Sequence, residues 1–181
     1  MGNAAQGCRV TISRSVWGPL TAVGLGTAAV ACVLDQASKL WLLKVFDLAN
    51  QGVVKVAPFV DLVLTWNTGI SYGWFQQEGP FGQAALLAIK VVAVALLWIW
   101  LAKASSRLAA ISLGLIIGGA VGNGIDRLAY GAVVDFVLLH AKTATWHFNW
   151  YVFNLADVAI VAGVVGLLYE SFWGDSAPKA P

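Results

Sequence analysis

Charge is scarce in this chain. Of 181 residues, 11 are Lys or Arg and 9 are Asp or Glu, for a formal net charge of +2. The cations are scattered and form no basic stripe, so no nucleic-acid partner is expected. Histidine occurs only at His140 and His147, seven positions apart and without an HExxH frame, which argues against a zinc peptidase. The two cysteines, Cys8 and Cys32, stand in neither a metal nor a redox spacing, and no disulfide between them is expected. G-x-S-x-G is absent, as is a glycine-rich nucleotide loop. Ser38 and Lys39 are adjacent, and adjacent helical residues point in different directions, so a Ser/Lys nucleophile fits poorly. The opening "MGNAAQ" lacks the hydroxyl residue of a myristoylation signal. No internal repeat or low-complexity segment stands out.

Apolar residues are what the chain has in abundance, at 59% of all positions. Residues 17–34 and 108–125 each carry no formal charge, residues 84–102 are interrupted only by Lys90, and residues 151–169 contain Asn154 and Asp157 near their start. Runs of about 18 or more such residues are long enough to cross a bilayer. The fold class expected is an α-helical polytopic membrane protein with four transmembrane helices, over about 17–39, 84–103, 108–126 and 152–172, and a small extracytoplasmic β-rich platform. Residues 1–174 form a single membrane-embedded domain and residues 175–181 a disordered tail in this reading. The first apolar run exceeds a typical secretory h-region and no small-x-small cleavage site follows it, so it reads as an uncleaved anchor.

Four spans put both termini on one side. The N-terminal tail holds Arg9 and Arg14 and the tight turn after the second span holds Lys103 and Arg107, against Lys39, Lys44, Lys55, Arg127 and Lys142 opposite. The densest positive charge lies in the tail and the short turn, which places the termini in the cytoplasm. The end of span one, the loop after it, the end of span three and the start of span four then share the outer side. That loop, residues 40–83, is far longer than an ordinary connection and should hold structure of its own. "VVKVAPFVDLVLTWN" reads as short strands, and "AVVDFVLLH" with "WHFNWYVF" as another pair. Trp146, Phe148, Trp150 and Tyr151, with Trp66 and Trp74, suit an interfacial aromatic belt.

The unusual polar residues gather at that outer side: Asp35, Lys39, Asn67, Asn123, Asp126, Arg127, Asp135, Asn154 and Asp157. Ionisable groups at membrane depth are costly, and their clustering marks a functional site by default. Asp35 and Lys39, four apart, read either as a helix-end ion pair with a snorkelling lysine or as support for that site. Gly114, Gly118 and Gly122 recur every four residues, a small-xxx-small row for close helix packing. Asn123 with Asp126, and Asn154 with Asp157, each lie three apart and share a helix face. Two carboxyls held together share a proton, so one can draw a proton from water while the other polarises a carbonyl, with no metal or cofactor required. Asp126, Asp135 and Asp157 are the nominees for such a dyad, and spacing leaves open which two pair. A small proton-coupled transporter using the same aspartates is the rival, although its spans should be polar throughout their depth. A non-catalytic scaffold would leave the carboxylates unexplained.

The chain resembles the lipoprotein signal peptidases, the type II signal peptidases of bacteria. Five blocks occur in the family's order: "DQASK" (35–39), "NTGISYGWF" (67–75), "GGAVGNGIDR" (118–127), "GAVVDF" (131–136) and "FNLAD" (153–157). The resemblance implies an aspartyl endopeptidase of the inner membrane that cuts diacylglyceryl-modified prolipoproteins just before the lipidated cysteine, near the outer leaflet. It implies a dyad of Asp135 and Asp157, and a polar shell of Asp35, Lys39, Asn67, Gly69, Asn123, Asp126, Arg127 and Asn154. It also implies contact with membrane lipids and sensitivity to cyclic-peptide inhibitors of the globomycin type. Tyr72 departs from the phenylalanine more usual in the second block.

Overall fold

The computed structural model describes residues 16–69, 80–142 and 145–173. Cys8, Arg9, Arg14, Tyr72, Trp74 and the tail at 175–181 lie outside the described residues. Helix α1 spans Thr21–Lys44, α2 is the short Leu48–Gln51, α3 spans Pro80–Leu101, α4 Arg107–Tyr130 and α5 Leu155–Trp173. Of these, α1, α3, α4 and α5 are long and apolar enough to cross a membrane.

The ends of α4 show why it runs where it does. Ser106 is its N-cap, and its Oγ accepts the Ala109 N–H at 3.0 Å. No breaker interrupts "IDRLAY", so the helix runs past the expected end near 126 to Gly131, which takes the left-handed conformation (φ 72°) and donates its N–H to the Arg127 carbonyl at 3.0 Å. Helix α1 likewise continues beyond residue 39 to Lys44, whose charge suits the negative end of the helix dipole.

Helix α4 is the central one, more than half buried, with α1, α3 and α5 packed around it. Leu101, Ala110, Leu113, Ile117 and Ala28 form the buried core between them. Gly114 and Gly118 meet the α1 backbone at Gly24 and Ala28, where an added Cβ would collide with a carbonyl oxygen. The small-residue row is therefore the α1–α4 seam. Outward faces keep residues such as Val30, Ile89, Val161 and Phe172 exposed, as a helix bundle in lipid requires.

Between the spans lies a four-stranded antiparallel sheet in the order β1-β2-β3-β4: Val54–Ala57, Val60–Asn67, Val133–Lys142 and His147–Asn149. Both expected strand pairs are present. In the β2–β3 register Thr65 faces Asp135 and Asn67 faces Val133. His140 sits with its Nε2 3.2 Å from an Asp61 carboxylate oxygen across this pair. Leu42, Leu48 and Phe136 anchor the sheet onto the end of α1. Phe153 then pairs with Val137, exchanging N–H···O bonds of 3.0 and 2.8 Å. That bridge ties the start of α5 to β3, so residues 22 apart in sequence at 135 and 157 come to one place.

Candidate active site

The site is assembled from the inside outward. Asp35, fully buried on α1, accepts the Lys39 ammonium at 2.8 Å with one oxygen and the Ala156 backbone N–H at 2.9 Å with the other. It thereby satisfies an orphan donor in the first turn of α5. Gly122 makes room for it, since a Cβ there would fall 2.6 Å from the Asp35 carboxylate. Lys39 is only 2% exposed, and its Nζ also reaches Asp126 at 2.7 Å and Asn123 Oδ1 at 3.0 Å. The snorkelling alternative is thus set aside: this lysine points inward, as the tie between α1 and α4.

Asp126 is held by Lys39, by Gln36 Nε2 at 2.8 Å and by the Val134 N–H at 3.1 Å. Its bond to Val134 fixes the start of β3, one residue before Asp135. Gln36 donates also to the Gly122 carbonyl at 3.0 Å. Sequence reasoning passes over Gln36, and the only signal for it is an amide inside an apolar helix, next to Asp35.

Asn154 and Asp157 form a reciprocal helix cap. The Asn154 Oδ1 accepts the Asp157 N–H at 3.0 Å, while the Asn154 N–H donates to Asp157 Oδ2 at 3.2 Å. Asn154 is fully buried, and its amide reaches Asp135 Oδ1 at 2.6 Å and Asn123 Oδ1 at 3.0 Å. Asn123 completes the circuit by donating to Asp157 Oδ1 at 3.0 Å. The two asparagines therefore hold both carboxylates, one from a strand and one from a helix N-terminus.

On the open side, Asn67 Nδ2 donates to Asp135 Oδ2 at 3.0 Å, and its Oδ1 accepts the Gly69 N–H at 3.0 Å. Arg127 donates to the Gly69 carbonyl, which tethers the segment after β2 to α4. All ten nominated residues thus belong to one neighbourhood. Asp135 and Asp157 line a cavity of about 80 Å³ together with Asn67, Asn123, Arg127 and Tyr151, whereas Asp126 lies behind it. Lys90 of α3 is also on this wall. Sequence reasoning meets Lys90 only as an exception in an apolar run, and Tyr151 only as an interfacial ring. Neither position carries a local pattern that would reveal the cavity.

Burial pushes the Asp135 carboxyl up from 3.8 to about 6, the Asp157 charge adds to this, and the Asn67 and Asn154 donors and Lys39 oppose it. Asp157 sits at the N-terminus of α5, where the helix dipole favours negative charge. A pair of this kind can hold one proton between its members at near-neutral pH.

A family model for signal peptidase (SPase) II matches residues 27–173. The lipoprotein signal peptidase of Nitrobacter hamburgensis is 65% identical over 158 residues, covering 87% of this chain and 96% of that protein. That of Rhodopseudomonas palustris is 63% identical over 164 residues, covering 90% of this chain and all of that protein. A bacterial membrane enzyme solved by the in meso method shares the fold, with a TM-score of 0.63 at 22% identity over 88% of this chain and 95% of that one. With its buried carboxylate site and a match over most of its length, the chain belongs to the signal peptidase II family.

Proposed function

We propose that Asp135 and Asp157 are the acid/base pair with which this bacterial membrane protease releases the signal peptide of prolipoproteins. The bond cut is the one just before the cysteine that carries the diacylglyceryl group. The observation that carries this reading is the cavity shared by these two carboxylates, with each held by an asparagine and Asp126 committed elsewhere.

The chemistry gives the two carboxyls opposite protonation states, one proton being shared between them. Asp157, ionised, takes a proton from a water that attacks the scissile carbonyl carbon. Asp135, protonated, gives its proton to the carbonyl oxygen, so the tetrahedral intermediate forms as a neutral diol. Collapse reverses the roles: Asp135 recovers the hydroxyl proton as the carbonyl re-forms, and Asp157 passes its proton to the departing amine of the lipidated cysteine. The C–N bond breaks and one water has been consumed. The dyad returns with a single proton, so no cofactor is needed in the balance.

The termini lie on the cytoplasmic side and the site near the outer leaflet in this reading. Burial of Lys39 and Arg127 within the site supports it. Without these two, the outer loops hold Lys44, Lys55 and Lys142 against Arg9, Arg14, Lys103 and Arg107 inside. A substrate anchored by its acyl chains presents its scissile bond at headgroup depth, where such a cavity would meet it among membrane lipids. Residues 1–174 act as one peptidase domain, and cyclic peptides of the globomycin type compete for the same cavity. The proton-coupled transporter finds no support in the family match, and the network gathers at one end of the bundle.

Cleavage of a purified diacylglyceryl-prolipoprotein by wild type, Asp135→Asn and Asp157→Asn tests the dyad. Each variant is expected to lose activity by roughly 100-fold or more while remaining folded. Full activity in either one, or no cleavage by folded wild type, would overturn the proposal.

A further inference from the structure

Lys90 is the sole charged residue of α3, Pro80–Leu101. An ammonium placed well inside a spanning helix is costly unless it faces a polar space. Here it does so at a boundary. Lys90 lines the cavity that holds Asp135 and Asp157, and it also lines an apolar groove of about 220 Å³ between α3 and α4. Leu87, Val91, Val94, Val121 and Ile125 wall that groove.

Two features separate Lys90 from the lysine already accounted for. Lys39 is fully buried and has three partners within 3.0 Å. Lys90 is only half-buried and makes no hydrogen bond or ion pair among the described residues, so its donors are available to a ligand. The second feature is Gly124, which also lines the groove. Unlike Gly114, Gly118 and Gly122, it has nothing within 4 Å of an added Cβ, so packing within the chain does not demand a glycine there. Glycine is a poor helix residue. Its presence leaves the groove open beside Lys90.

On the lipoprotein reading, the substrate has one part that matches this junction. The diacylglyceryl group combines apolar chains with two ester carbonyls, which are uncharged acceptors close to the cysteine sulfur. We propose that the α3–α4 groove takes the acyl chains of the lipidated cysteine and that Lys90, at its mouth, donates hydrogen bonds to the ester carbonyl oxygens. Lys90 then holds the lipid anchor in the groove and strengthens binding of the substrate without touching the reacting atoms. This inference rests on the proposed function and adds the subsite for the lipid.

The test compares two substrates on the full-length enzyme in detergent: a prolipoprotein peptide with a diester diacylglyceryl cysteine, and its diether analogue lacking both carbonyls. Wild type is expected to show a KM roughly tenfold higher for the diether. Lys90→Met should raise KM for the diester by about the same factor, leave kcat within about twofold and not change KM for the diether. Lys90→Arg, which keeps donors, should restore most of the loss. Gly124→Leu, which fills the groove, should weaken the long-chain diester and spare one with short acyl chains. Equal KM for diester and diether in wild type, or an equal effect of Lys90→Met on both, would overturn the inference. So would a fall confined to kcat. These results leave the dyad intact as long as wild type cleaves and Asp135→Asn does not. Failure of wild type to cleave either substrate would overturn the function itself, and this inference with it.

Discussion

Lys39 carries the charge balance of the interior. Two buried carboxylates, Asp35 and Asp126, face this one ammonium, and the negative charge left over is met by neutral donors: Gln36 and the backbone N–H groups of Ala156 and Val134. Removing the ammonium leaves two carboxylates close together and buried, the arrangement in which loss of one partner costs most. Lys39→Met is therefore expected to destabilise the protein by about 3–5 kcal/mol and to abolish cleavage. Adding Asp35→Asn to that background should recover part of the stability, because a neutral amide no longer repels Asp126. Thermal unfolding in detergent measures both changes. A Lys39→Met protein as stable as wild type would show that the cluster is not charged as described.

The spanning elements depend on how closely α4 can approach its neighbours. Gly118 meets the Ala28 backbone of α1, and Gly119 meets the Ala156 carbonyl of α5 at 2.5 Å from an added Cβ. A side chain at Gly118 must push α1 away, and α1 carries Asp35 and Lys39. Gly118→Leu is expected to cost at least about 1–3 kcal/mol and to reduce activity as the polar network separates. Gly26→Ala on α1 is the contrasting case, since nothing lies within 4 Å of a Cβ there. It should leave stability unchanged or raise it by up to about 1 kcal/mol through helix propensity. Comparing the two by thermal unfolding separates contact at the seam from a general aversion to side chains on glycine positions.

At the scale of the whole molecule, the sheet and the bundle meet where Phe153 bridges β3, and Asp135 is buried by that junction. Its folded-state pKa of about 6 lies above the ordinary 3.8, so the folded chain binds this proton more tightly than the unfolded chain. Stability from this group is full below about 4 and falls as pH rises toward 6, above which both states are ionised and the fold bears the cost of a buried charge. Asp135→Asn removes that dependence. The variant should gain about 2–3 kcal/mol relative to wild type between pH 4 and pH 7. Unfolding temperatures of the two proteins across that range give the slope, and parallel curves would contradict the raised value.

Much of this architecture is legible in the chain itself. Helix-length apolar runs mark the four spans because hydropathy is a property of adjacent residues, and the β-branched runs around Pro58 mark the first hairpin for the same reason. The rarity of charge makes the few carboxylates stand out, and the resemblance of their motif blocks to the family's points to Asp135 and Asp157 as the proposed dyad. The partners of those residues are not legible in this way. Asp35 meets the Ala156 N–H across 121 positions, and Gln36 meets Asp126 across 90. No local pattern encodes such distances; the glycine seam sets them by deciding how near α1 and α4 stand. Sequence alone determined which four segments are long and apolar enough to cross a membrane and which acidic side chains are exceptional among them. Tertiary structure alone decided that Lys39 turns inward, that Asp126 is held by Lys39, Gln36 and the Val134 N–H, and that Lys90 stands between the cavity and a groove, because proximity across distant segments follows from packing.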